Sequence, residues 1–75
     1  MSMNPIYKET ATSACRYWLQ GKLYPEMNRD SFLSNLMGTY GCTAYEAHDV
    51  MSDAEWAEQF KDQPEIANFR FATSN

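Results

Sequence analysis

Apolar side chains recur at steps of three and four residues near the start of the chain, at Tyr7, Ala11, Ala14, Cys15, Trp18 and Leu19. Lys8, Glu9, Thr12, Ser13, Arg16 and Gln20 occupy positions between them. That spacing draws one apolar stripe along an α-helix and leaves the opposite face wet. Asn4 and Pro5 mark the start, because asparagine caps free backbone N–H groups and proline loses nothing in a first helical turn. Gly21 marks the end, as a residue that enters the left-handed conformation without steric cost. A helix framed this sharply must bury its stripe against something, and the rest of the sequence offers further helices.

Asp30 can cap a second helix whose stripe is Phe32, Leu33, Leu36, Met37 and Tyr40, with Gly41 as its stop. Gly38 lies inside that helix and weakens it by about 1 kcal/mol relative to alanine. Lys22 to Arg29 reads as a connector, since Pro25 biases Tyr24 toward an extended conformation. Thr43 and Glu46 stand at capping-box spacing, and so do Ser52 and Glu55. Two such signals predict two short helices with a bend between them. The first runs through Ala47, His48, Val50 and Met51. The second runs through Trp56, Ala57 and Phe60 and stops near Gln63-Pro64. Beyond Pro64, Ile66 and Phe69 suit a short helical turn on the core, while Asn68 to Ala72 alternates as an edge strand would. The expectation is an all-α fold. It is one compact domain over residues 1–75, with four to five short helices, a C-terminal tail that can extend, and loose ends at 1–4 and 72–75.

A chain of 75 residues buries a modest core, so close helix packing or a partner's surface must supply its stability. Two tryptophans, five tyrosines and four phenylalanines make folding feasible, and they exclude a disordered tail. A core on Trp18, Phe32, Tyr40, Trp56 and Phe60 is nearly full, which leaves several aromatics for the surface. Cys15 and Cys42 are too few for a disulfide scaffold and read as reduced, small packing residues. The opening Met1 to Pro5 is short and polar, no apolar run approaches the ~20 residues of a membrane span, and a cytoplasmic setting follows.

Charge is distributed unevenly. Residues 1–45 carry Lys8, Arg16, Lys22 and Arg29 against Glu9, Glu26 and Asp30. Residues 46–65 carry Glu46, Asp49, Asp53, Glu55, Glu58, Asp62 and Glu65 against Lys61 alone. Blocks of this kind are either solvated faces or docking surfaces for a partner of opposite sign.

Catalytic equipment is sparse. One histidine, His48, and two distant cysteines do not make the three or four converging ligands of a zinc site. A Cys42–His48 nucleophile pair would need an orienting group, and Asp49 points about 100° away around a helix. Gly38 and Gly41 lack the spacing and the lysine of a phosphate loop. The chain is therefore read as a non-enzyme with no metal and no cofactor.

Residues 31–51 have the outline of a DNA-binding helix–turn–helix, with Thr43, Tyr45, Glu46 and Asp49 in the groove-facing positions. The stretch from Leu36 to Met51 holds no lysine or arginine, whereas phosphate neutralisation supplies most DNA affinity. Nucleic acid is thus the weaker reading, and membrane is excluded. The favoured one is a small acidic protein-binding module, an inhibitor or adaptor. It docks on a larger, basic, nucleic-acid-handling protein by imitating rows of phosphates. Its contact residues are Tyr45, Glu46, Asp49, Asp53, Glu55, Trp56, Glu58 and Asp62. A homodimer built on exposed aromatics is the remaining alternative. In general character the chain resembles accessory proteins of phages and mobile elements, although no motif carries that likeness.

Overall fold

The computed structural model describes residues 5–67. Three helices account for most of them: α1 over Pro5–Leu19, α2 over Arg29–Tyr40 and α3 over Ala44–Gln59. A single helical turn, α4, follows at 64–67. The fold is all-α, with four helices and no strand among the described residues. The expectations for 1–4, for Phe69 and for the alternating stretch 68–72 lie outside the described residues.

Each helix end has a local cause. After α1, the Gly21 N–H donates to the Trp18 carbonyl and the Lys22 N–H to the Tyr17 carbonyl, while Gly21 sits at φ 77°. This crossed pair of bonds satisfies carbonyls that the helix leaves open. The start of α2 corrects the sequence reading, because the cap is Asn28 and not Asp30. Asn28 holds an extended backbone, and its side-chain oxygen accepts from the Ser31 N–H at 2.8 Å. Asp30 lies within the first turn, where its charge suits the helix dipole. Gly41 closes α2 at φ 63°.

The largest correction concerns the third helix. Thr43 and Glu46 form the expected capping box, with each side chain bonded to the other's backbone N–H. Ser52 and Glu55 do not form a second one: α3 passes straight through Ser52. A cap requires non-helical backbone at Ser52. The buried residues Ala47, Val50, Met51 and Ala54 instead continue at uninterrupted three-and-four spacing across that point. A bend there would pull half of this stripe away from the core. Tertiary burial outweighs the local signal.

The core is built from small residues and a few large ones. Ala11 and Cys15 from α1 and Ala47 and Ala54 from α3 have no exposed surface. Such residues let the two helices approach closely, and α1 and α3 share the most extensive interface in the protein. Phe32 and Leu36 from α2, and Val50 and Met51 from α3, fill the space between. Burying each contributes about 1.5–3 kcal/mol. Of the five aromatics expected to build the core, Phe32 alone is fully buried, and Trp18, Tyr40, Trp56 and Phe60 are half-buried around it.

Both tryptophans act as staples. The Trp18 ring stacks on Phe32 with centroids 5.1 Å apart, and its indole N–H donates to the Met27 carbonyl at 3.0 Å. Trp56 packs on Phe60 at 4.6 Å and donates to the Ile66 carbonyl at 3.1 Å. The first bond ties down the α1–α2 connector and the second ties down α4. Within the connector, Tyr24 adopts φ 46° instead of the extended conformation expected before proline. A turn closed by the Met27 N–H on the Tyr24 carbonyl holds it there. Positive φ at a tyrosine costs about 1–3 kcal/mol.

Two stability predictions follow from these helices. Thr43→Ala loses the cap and destabilises by about 1 kcal/mol, whereas Ser52→Ala, in a helix interior, is neutral or slightly stabilising. Urea unfolding of both variants distinguishes one continuous helix from two, since equal losses would indicate a second cap. A Cβ at Gly38 meets no atom within 4 Å. Gly38→Ala therefore raises unfolding free energy by up to about 1 kcal/mol in the same assay.

Candidate functional site

The eight residues singled out in the sequence do not form one surface. Residues advance by about 100° around a helix, so in an unbroken α3 Asp49 and Asp53 fall on one flank of the buried stripe. Glu55 and Glu58 fall on the other. Tyr45 points away from the core and is 82% exposed. Glu46 is held by the capping box, and Asp53 is buried and engaged within the chain. Trp56 is occupied by Phe60 and by the Ile66 carbonyl. Asp62 is exposed beyond the end of α3.

The α3 carboxylates serve as counter-ions for the rest of the fold. Asp49 faces Lys8 at 3.9 Å, Glu58 accepts from the Arg16 Nε at 2.9 Å, and Glu55 accepts from both terminal nitrogens of the Arg29 guanidinium. Lys61 adds a second cation to Glu58 at 3.8 Å. Lys22 is the one cation without an ion pair among the described residues. The basic half of the sequence thus folds onto the acidic half. These pairs also fix helix directions. Lys8 and Arg16 meet Asp49 and Glu58 in the same order along the chain, so α1 and α3 run in the same sense. Arg29, at the start of α2, meets Glu55 near the end of α3, so α2 runs oppositely.

Glu58 is the centre of this network. Its side chain is 15% exposed and also accepts from Gln20 at 2.6 Å. Burial by itself would raise its carboxyl pKa. Hydrogen bonds from Gln20 and Arg16, with the charges of Arg16 and Lys61, outweigh burial and hold it below its ordinary value. By contrast, Lys8 and Asp49 are a long, exposed pair that contributes little.

The cysteines are both free and buried. Burial pushes the Cys15 thiol up to about 12, with Arg29 opposing and Glu55 and Cys42 reinforcing that rise. Burial raises Cys42 as well. Cys42 Sγ donates to the Leu36 carbonyl at 3.7 Å, and His48 lies exposed on α3. No group of three or more His, Cys, Asp or Glu side chains converges for a metal among the described residues. No described helix is long and apolar enough to cross a membrane. The α2–turn–α3 corner over 31–51 has the expected outline, yet Thr43 and Glu46 are bonded to each other at its turn. Asp49 is the partner of Lys8.

The helix directions also bring toward one end of the bundle segments that sequence reasoning did not connect. Glu9, Glu26, Asp30, Asp62 and Glu65 make no ion pair among the described residues. Four of them, Glu26, Asp30, Asp62 and Glu65, lie at the end of the bundle where α1 finishes, α2 begins and α3 finishes. Exposed apolar groups share that end: Tyr17 at 53%, Leu19 at 36% and Tyr24 at 42%. No periodicity links these positions, because three different segments supply them. The chain matches no family model, no curated protein and no solved structure.

Two measurements check the electrostatics. Glu58 has a lowered pKa in the fold, so its stabilisation is full above the ordinary carboxyl range near 4.5 and is lost as pH falls through the folded value. Glu58→Gln should cost about 1–2 kcal/mol near neutral pH. That gap from the parent protein should narrow as pH falls through the folded value, and a gap that stays constant into acid would contradict the assignment. For the thiols, neither cysteine of the folded protein should react with a disulfide reagent near neutral pH, and both should react in denaturant. Cys15 also makes stability fall as pH climbs from 9.0 toward 12, because the unfolded thiol ionises first. Cys15→Ala should flatten that slope.

Proposed function

We propose that the chain is a small, non-catalytic protein-binding module that docks on a larger protein with a basic surface. The observation that carries this reading is the end of the bundle toward which the helices bring exposed Tyr17, Leu19 and Tyr24 together with four carboxylates that make no ion pair among the described residues. Aromatic residues are enriched in protein interfaces. Carboxylates at the rim steer a basic partner and select against acidic ones. The conformational cost held at Tyr24 supports the same end, since strained backbone concentrates where a side chain is presented for use. Asp62 also belongs to the acidic row that the sequence spaces along residues 49–62. The other acids of that row, Asp49, Asp53, Glu55 and Glu58, are engaged within the chain. An inhibitor or adaptor of a nucleic-acid-handling protein fits this chemistry, because unpaired carboxylates can occupy sites that otherwise hold phosphates.

The test is retention of a partner on the tagged protein from its host lysate, with and without nuclease, beside three variants. Tyr24→Asn keeps the fold, since asparagine tolerates positive φ, and should lose the partner. The double variant Glu26→Lys/Asp30→Lys should lose it too, with an unchanged far-UV spectrum. Tyr45→Ser should retain it. Loss with Tyr45→Ser alone would move the contact to the outer face of α3. Retention of nucleic acid alone, released by salt, would replace the reading with the helix–turn–helix.

A further inference from the structure

We draw no further inference here: the strongest candidate, the apolar surface patch at the opposite end of the bundle where Tyr7 packs on Tyr40 with ring centroids 6.2 Å apart and Met37 lies one turn earlier on α2, is exposed with nothing in the structure to show what covers it.

Discussion

The unbroken course of α3 through Ser52 governs the other elements of the fold. One straight helix carries Ala47, Val50, Met51 and Ala54 in line, and these residues meet both α1 and α2. It also carries, on its two flanks, the carboxylates that reach Lys8, Arg16 and Arg29. Had the chain bent at Ser52, the apolar stripe and the ion pairs would have separated together. The small side chains of Ala11 and Cys15 add to this dependence. Close-packed helices gain dispersion contacts only when both faces are continuous.

Charge asymmetry along a chain invites a search for an external partner of opposite sign. Here much of it is answered internally, because the cations of α1 and α2 lie against α3. The Arg29–Glu55 and Arg16–Glu58 pairs order the helices more than they stabilise them. Their arginines are exposed enough for solvent to screen much of the attraction. Their use is directional: they form with α1 and α3 running together and α2 running against them. What remains for the outside is the smaller set of acids on connectors and helix ends.

Much of the architecture is legible in the amino-acid sequence. The stripe of α1, its glycine stop, the capping box at Thr43 and the stop at Gly41 are short-range patterns with a single physical meaning. The misreadings arose where two local signals competed. Asn28 and Asp30 are both good caps, and the choice fell to the residue whose backbone could be extended while the connector was pinned by Trp18. Ser52-Asp53-Ala54-Glu55 satisfies the capping pattern in letters, but burial of Met51 and Ala54 on the same stripe overrides it. The candidate surface was least legible. A row of acids at three-to-four-residue spacing suggests a face, yet the same spacing drifts around a straight helix until its members lie on opposite flanks. The acids at the end where α1 and α3 finish come from a connector, the start of α2 and the stretch after α3. Only the direction of the helices could show that they share an end.

The two tryptophan staples divide the molecule into parts that can come apart at different cost. Each indole N–H bond secures a segment with few buried groups of its own, the connector through Met27 and α4 through Ile66. Neither segment contributes to the fully buried core. The connector and α4 therefore belong to the low-energy end of the opening spectrum, and each can peel away while the three main helices stay closed. Since each opening breaks the N–H bond of a different indole, the protein carries a separate optical reporter for each. The end that presents Tyr24 is thus also the end whose covering segments are cheapest to rearrange.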